Sequence, residues 1–558
     1  MEQYQKWLNF LSEEDELKKE LLLLTKEELA DAFYTDLSFG TGGIRGLMGP
    51  GTNRMNVYTL RKVNFGYGQF ILKHHQHPAV VIAYDTRQNS LLFAKESALV
   101  LATMGIKCYL FKEVAPTPLL SFAVRYLKTQ GGIVITASHN PPKYNGYKVY
   151  DEHGCQLVPN LADEVIALIQ KAPDLFAIPT LAFDELKEQG LINWVNDDVS
   201  EAYLNKVKGI SVHPHLRTSD FKIVFTPLHG TSAKLGSRLL RDLGYQTILV
   251  EEQMVPDGQF STVKSPNPEN LEAFSYAIKY AKQFHADICV ATDPDADRVG
   301  LVVRDQDEYR LLTGNQTGAL LLYYLVNERS ITKPSVVFNT IVTSEIGTKI
   351  AKSKGLEVIT TLTGFKFIGE QALLLEKTNK TFFFGYEESY GYVVEDFVRD
   401  KDALQGLLLC SEVANFYHQQ GKSLFAVLEE IYQQFGYFID EQTSFQLDGA
   451  KGQEQIGKIL TAFRQQTISK IGTLQVIIKE DYLLGKRWKD GKVEEITLPS
   501  SNVLKYILND ESWFVLRPSG TEPKMKVYYS VNDNSHAAAE RKLAMIKQTV
   551  LDLIKKVG

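Results

Sequence analysis

Short apolar runs recur along this chain with helix-forming stretches between them, and no other feature limits its fold as strongly. Ala79–Tyr84, Lys107–Phe111 and Gly132–Ile135 form one set; Phe221–Phe225, Thr247–Val250 and Asp287–Val290 form a second; Ser335–Phe338, Glu357–Ile359 and Thr381–Phe384 form a third. Runs of this length, apolar on both faces and separated by helices, predict strands of parallel sheets covered on both sides. After about residue 445 the pattern changes: a helix carrying Ile456, Ile459 and Leu460 leads into strand candidates at Gln475–Lys479, Val493–Leu498 and Met525–Tyr529, then a closing helix, Ala537–Lys556. The first 38 residues are helical in character, with Glu14–Lys26 followed by a helix start at Thr25-Lys26-Glu27-Glu28 that continues through Asp31–Leu37.

The parse is three similar mixed α/β domains, at 1–205, 206–314 and 315–445, and a smaller α+β domain at 446–558. A chain of 558 residues exceeds what one hydrophobic core supports. A net charge of only −6 with no basic block argues against nucleic acid as a partner. Apolar stretches such as Ala319–Val326 fall far short of the ~20 residues that cross a bilayer, so no membrane partner is expected. The N-terminal Met-Glu-Gln-Tyr-Gln-Lys-Trp-Leu lacks signal-peptide character. Cysteines 108, 155, 289 and 410 stand too far apart for a zinc or disulfide framework, and a reduced, cytoplasmic location is the expectation.

Several loops at the ends of apolar runs could carry chemistry, because ligands of parallel sheets bind beyond the C-terminal strand ends. Ser138, in Thr136-Ala137-Ser138-His139-Asn140-Pro141, follows Ile133–Ile135. It lacks the Gly-x-Ser-x-Gly elbow of an esterase, and the adjacent His139 is not the separately placed base of a triad. Lys148, beyond an expected Asn145-Gly146 turn, could return toward that loop; on sequence alone it is equally a surface lysine. Asp293, Asp295 and Asp297 repel one another unless cations compensate, and oxygen ligands of this kind suit magnesium. An EF-hand is excluded, since Arg298 stands where that loop needs glycine and Arg304 where its last glutamate belongs. The loop Gly40–Gly46, with Thr41 and Arg45, offers amides and a guanidinium but no P-loop ending. Gly385–Gly391 presents Glu387, Glu388 and Ser389, either for vicinal sugar hydroxyls or as an acidic helix start. Arg517, Ser519, Gly520 and Thr521 could hold a small anion through a guanidinium, hydroxyls and amides.

Together these five segments resemble the alpha-D-phosphohexomutase family over essentially the whole chain. The resemblance implies a four-domain, heart-shaped α/β architecture. It implies that Ser138 carries the transferred phosphoryl group, and that Asp293, Asp295 and Asp297 bind Mg2+ with the Ser138 phosphate as a further ligand. It also implies that Gly385–Gly391 recognises the sugar and that Arg517–Thr521 binds the distal phosphate. The Glu-Glu-Ser form of the sugar loop resembles phosphoglucomutases, while the tyrosine at Tyr386 resembles the branch of longer bacterial phosphoglucomutases, phosphopentomutases and a glucose 1,6-bisphosphate synthase. Phe365 stands where dual-specificity members use histidine, leaving Lys366 for phosphate contact.

The expected reaction interconverts glucose 1-phosphate and glucose 6-phosphate through phosphoserine, with glucose 1,6-bisphosphate as intermediate and activator. Lys148 would accept and return the hydroxyl proton, which requires a lowered pKa, and Arg298 would add positive charge. Thr41, Arg45, His139, Lys366, Glu387, Ser389, Arg517, Ser519, Gly520 and Thr521 are the expected substrate contacts. The alternatives are phosphopentomutase, phosphomannomutase or bisphosphate synthase chemistry, or a non-enzymatic sugar-phosphate binder; a monomer or homodimer handling hexose phosphates is expected.

Overall fold

Branched and aromatic side chains fill the apolar runs, and those runs form strands of the sheets, most of them central, with Gln246–Leu249 and Glu357–Thr361 at sheet edges. The structure, a computed structural model, describes residues 2–40, 43–446, 449–518 and 524–557. The chain divides into two compact units, Met1–Thr317 with Phe365–Gly421, and Gly318–Gly364 with Lys422–Gly558.

In the first unit, a six-stranded sheet runs in the order Gly43–Leu47, Tyr144–Asp151, Gly131–Ile135, Ala79–Tyr84, Lys107–Leu110, Ile192–Trp194. The last four strands are parallel; three are the predicted apolar runs, and Ile192–Trp194 is an addition the sequence reading did not name. Tyr144–Asp151 is antiparallel to Gly131–Ile135, and Gly43–Leu47 is antiparallel to Tyr144–Asp151. A second sheet has parallel strands Ile288–Thr292, Lys222–Thr226 and Gln246–Leu249, extended by antiparallel Val299–Asp305 and Glu308–Leu311. Both sheets are therefore mixed, with their parallel part delivering two loops, 136–143 and 293–298, from the C-terminal ends of buried strands.

In the second unit, Ser335–Thr340 pairs in parallel with Glu357–Thr361. Eight antiparallel strands between Tyr437 and Asp533 form a further sheet. Ile456, Ile459 and Leu460 from the helix Gly449–Gln465 and Ile546 and Val550 from His536–Val557 share one apolar cluster with Leu504, Phe514 and Val527 on it.

Three expectations are corrected. The helix starting at Thr25, which has the expected capping box, ends at Ala32 rather than continuing to Leu37. The Ala32 carbonyl is taken by the Asn53 amide at 2.9 Å, so it does not accept a helical bond. The strand expected at Val493–Leu498 is Lys492–Glu495. Asn145-Gly146 is no turn: both residues lie inside the strand Tyr144–Asp151. A Cβ on Gly146 would sit 2.2 Å from the Thr136 carbonyl oxygen, so glycine here serves close strand approach rather than chain reversal.

Candidate active site

Ser138 sits just beyond the central strand Gly131–Ile135, in a loop with a left-handed backbone of φ 51°. A non-glycine residue there is strained and persists only when its surroundings hold it. The Thr136 hydroxyl accepts the Ser138 amide at 2.9 Å. Arg87 supplies the larger restraint. Its wholly buried guanidinium donates to the carbonyls of Pro141 and Tyr144, both at 3.0 Å, and also to those of Ser138 and Asn140. Arg87 is itself fixed by Asp85 at 3.4 Å and by the Phe260 ring, 4.9 Å away. A single side chain thus gathers four carbonyls of the serine loop.

The Ser138 hydroxyl donates to Asp293 Oδ2 at 2.6 Å and lies 3.1 Å from His139 Nδ1. Burial, reinforced by Arg298 and Arg45, pushes the His139 imidazole well below its ordinary pKa. Arg45, exposed on the edge strand Gly43–Leu47, reaches the same loop by donating to Asn140 Oδ1 at 2.9 Å.

Asp293, Asp295 and Asp297 are buried together, and one oxygen from each lies within 4.8 Å of the others. Burial of all three is incompatible with a solvated, charged surface turn. The loop closes tightly because Asp293 Oδ1 accepts the amides of Asp297 and Arg298 at 3.0 and 2.9 Å, with Ala296 left-handed between them. Burial and the neighbouring carboxylates push Asp293 well above the ordinary carboxyl pKa. Asp295 Oδ1 and Asp297 Oδ1 are buried and have no hydrogen-bond partner among the described residues. Clustered, desolvated and partly unsatisfied carboxylates fit a hard cation, and the cluster could hold a metal ion.

Three cations flank it. Lys148 Nζ is 2.7 Å from Asp295 Oδ2 and 3.0 Å from Asp297 Oδ2, while Lys401 Nζ is 3.1 Å from Asp297 Oδ2. Arg298 Nε stands 3.9 Å from Asp297 Oδ1, and its guanidinium is also paired with Glu269. Burial works to raise Asp297, but Lys148, Lys401 and Arg298 override it and hold this carboxyl well below the usual range. The same contacts correct the expected lowering of Lys148. Burial does disfavour its charge, but Asp295 and Asp297 outweigh burial and raise its pKa above the ordinary lysine value. A cation on these carboxylates would compete with Lys148 for the same oxygens.

Sheet register explains why Lys148 arrives here: it pairs with Val134 on one side and Gly43 on the other. Glu387 is buried in the loop between the strands Thr381–Tyr386 and Tyr392–Val393, which excludes a helix start there. Its carboxylate helps raise the pKa values of both Arg298 and Lys401, placing it beside the cluster. Ser389 is half-buried in that loop, and Lys366 is buried near the start of Phe365–Leu375 with its ammonium 5.1 Å from the Phe367 ring centroid. Arg517 belongs to the second unit, where it donates to the Tyr528 hydroxyl at 3.4 Å. Thr41, Ser519, Gly520 and Thr521 lie outside the described residues.

Sequence reasoning missed Arg87, Thr117 and Lys401. Thr117 donates its hydroxyl to Asp295 Oδ2 and its amide to the Asp295 carbonyl, both at 2.8 Å. Arg87 was the most discoverable, since Asp85-Thr86-Arg87 leaves the apolar run Ala79–Tyr84 as Ser138 leaves its own. Lys401 stands in Arg399-Asp400-Lys401-Asp402, a charge run that reads as solvated, although Arg399, Asp400 and Asp402 are buried.

Family models for phosphoglucomutase/phosphomannomutase match the chain in order: alpha/beta/alpha domain I at residues 36–175, domain II at 201–306 and domain III at 313–435. The chain belongs to the alpha-D-phosphohexomutase superfamily. Among curated relatives, a phosphoglucomutase of Staphylococcus epidermidis is 41% identical over 514 residues, 91% of this chain and 93% of that one. One from Staphylococcus haemolyticus is 40% identical over 504 residues, 90% and 91% of the two chains. Two solved structures share the phosphohexomutase fold. The exocytosis-sensitive phosphoprotein pp63/parafusin (phosphoglucomutase) of Paramecium, in an open form, has a TM-score of 0.71 at 17% identity and covers 94% of this chain and 96% of that one. A phosphoglucomutase/phosphomannomutase family protein of Burkholderia thailandensis has a TM-score of 0.68 at 19% identity, covering 93% and 97%. The four-domain α/β phosphohexomutase architecture follows, three alpha/beta/alpha domains and a C-terminal sheet domain. Membership supports phosphohexomutase activity at the level of the superfamily.

Proposed function

We propose that this phosphohexomutase is an α-phosphoglucomutase, interconverting glucose 1-phosphate and glucose 6-phosphate through phosphorylated Ser138 and glucose 1,6-bisphosphate. The observation carrying the reading is the 2.6 Å contact between the Ser138 hydroxyl and Asp293 inside the carboxylate cluster. The glucose preference draws on relatives near 40% identity that bear the name phosphoglucomutase and on the Glu387-Glu388-Ser389 loop.

Asp293, Asp295 and Asp297 would hold Mg2+, which would withdraw charge from a phosphoryl group on Ser138. In the first transfer the Ser138 Oγ–P bond breaks as the free 6-hydroxyl of glucose 1-phosphate forms its own bond to phosphorus. The hydroxyl proton passes to Lys148, which first needs the carboxylates that keep it charged to be neutralised. After the bisphosphate turns around, the Ser138 oxygen recovers phosphorus from the 1-position and Lys148 returns the proton, giving glucose 6-phosphate. Arg87 would hold the nucleophile's loop throughout, and Glu387, beside Arg298 and Lys401, would accept from sugar hydroxyls.

The test compares turnover of glucose, mannose and ribose 1-phosphates, each primed with its bisphosphate, in wild type and Ser138→Ala. Highest efficiency on glucose with complete loss in Ser138→Ala is expected, together with one phosphate mapped to Ser138 in the wild-type protein. A ribose- or mannose-dominated profile, or net bisphosphate production from an acyl phosphate without isomerisation, replaces the glucose reading. Near-normal turnover by Ser138→Ala removes the nucleophile assignment itself.

A further inference from the structure

A cavity of about 310 Å³ in the first unit lies away from the metal site. Its lining includes Arg125, Lys128, Gln130, His153, Glu376 and Arg399. Gln130 precedes the strand whose other end leads to Ser138, so strand Gly131–Ile135 separates this opening from the nucleophile loop. The volume is that of a small-metabolite pocket. Its permanent cations are Arg125, Lys128 and Arg399. Of the two acidic residues, Glu152 lies 3.7 Å from His153 and 3.9 Å from His75. The other, Glu376, spans both arginines: it is paired with Arg399 and 3.5 Å from Arg125.

The pairing is lopsided. The Arg399 side chain is 1% exposed and Glu376 is 51% exposed, so a fixed cation meets a carboxylate that water can claim. Arg399 Nε is buried and has no hydrogen-bond partner among the described residues. Arg399 also faces the Cys155 thiol and the buried Asp151 carboxyl, so its unpaired Nε is the donor left over; beside Arg125 and Lys128 it gives the pocket a cationic wall suited to a small anion.

The same residues lead to the metal cluster by two covalent routes. The helix Thr117–Leu127, 11 residues or ~16 Å long, carries Arg125 near its last turn and, at its first residue, Thr117, which bonds Asp295. Arg399 is two residues from Lys401, the partner of Asp297, and the intervening Asp400 accepts from the Tyr150 hydroxyl at 2.7 Å. The routes are stitched together where Ser121 accepts the Arg399 amide at 3.0 Å and donates to the Gly154 carbonyl at 2.7 Å. A ligand that displaces Glu376 from Arg399 therefore acts on a segment that positions the metal-site lysine.

We propose that this cavity is an effector site for a small dianion, a phosphate monoester or a dicarboxylate, whose binding replaces Glu376 on Arg399 and alters turnover at the carboxylate cluster. The regulatory half rests on the function proposed above; the binding half does not.

The probes are inorganic phosphate and succinate, added to the full-length protein at constant ionic strength and constant free Mg2+. Initial rates at saturating substrate should change with probe concentration, since competition at the substrate site is then suppressed. Lys128→Glu, at an exposed position outside the catalytic machinery, should keep basal turnover and need about ten-fold more probe for the same effect. Lys128→Arg should restore the response, and Glu376→Gln, which removes the negative charge facing both arginines, should respond at lower probe concentration than wild type. A variant-dependent response to only one probe supports the site and names its ligand class. Identical responses in wild type, Lys128→Glu and Glu376→Gln overturn the proposal, as does inhibition that saturating substrate abolishes for both probes. A thermal unfolding shift with succinate, present in wild type and weakened in Lys128→Glu, decides the binding half separately. If no hexose phosphate is turned over, the proposed function fails while that shift still reports on the cavity; its absence with both probes rejects the site.

Discussion

Replacing Gly146 by alanine tests whether strand spacing, rather than a turn, dictates glycine at this position. A Cβ there would lie 2.2 Å from the Thr136 carbonyl oxygen and 2.9 Å from that of Ile44. Carbon–oxygen contacts sit at about 3.3 Å or more, so the backbone must yield by about 1 Å between two neighbours. Such overpacking costs ~1–3 kcal/mol. Weakening the Thr136 N–H to Gly146 O bond, now 3.0 Å, adds ~1 kcal/mol, for a total of roughly 2–4 kcal/mol. If that cost falls on local opening, amides of residues 131–150 should exchange about 30- to 900-fold faster, read by hydrogen-exchange mass spectrometry. Activity should fall too, because Thr136 orients the Ser138 amide and Lys148 is two residues beyond the new methyl. Gly457→Ala is the control: its site is open and helical, so alanine should stabilise that helix by up to ~1 kcal/mol. Unchanged exchange across 131–150 with full activity would refute the close-approach argument.

Asp295→Asn should cost at least about a hundred-fold in kcat/KM while leaving thermal unfolding nearly unchanged or improved, because one of three crowded buried carboxylates is lost. Titrating Mg2+ against activity should show a higher requirement in this variant. Arg87→Lys, which keeps charge but cannot reach four carbonyls at once, should lower kcat about ten- to hundred-fold with substrate affinity preserved; loss of KM alone would count against a positioning role. Burial raises the Asp402 carboxyl to about 6, above its ordinary 3.8, despite the bond from Tyr203. Protonation is thus favoured by folding, so this group's contribution is most stabilising below pH ~4 and is lost as pH rises through about 6. Asp402→Asn, which keeps a helix-capping oxygen, should flatten that pH dependence of thermal unfolding and raise stability at pH 7 by up to ~3 kcal/mol.

The parallel cores of both sheets in the first unit were legible because a strand buried on both faces needs an unbroken apolar run, as in Ala79–Tyr84 and Ile288–Thr292. The antiparallel additions were harder to read: Tyr144–Asp151 mixes polar and apolar residues without a clean alternation and begins among Asn and Gly, which look like turn formers until Gly146 is seen facing a carbonyl. The metal cluster could be found locally, since its three aspartates fall within five residues. Its counter-charges could not, because Lys148 and Lys401 are 253 positions apart (401 − 148) and meet only through tertiary folding. Electrostatic sign was also beyond reach. Lys148 at the site was foreseeable, but whether burial or the aspartates prevailed depends on distances of 2.7 and 3.0 Å.

The interleaving of the two units has a consequence for synthesis. The segment Gly318–Gly364 leaves the ribosome before Phe365–Gly421, so the first unit stays incomplete while part of the second is already made. Lys401 follows Asp297 by 104 residues (401 − 297), which at ~5–20 residues per second leaves the nascent aspartates without this counter-ion for roughly 5–20 s. A chain halted near Thr317 would contain Ser138 and all three aspartates yet lack Glu387, Lys401 and Asp402, the acceptor of the Tyr203 phenol. Premature termination there would leave an unfinished first unit with a buried tyrosine deprived of its partner, a product suited to quality-control degradation rather than to partial catalysis.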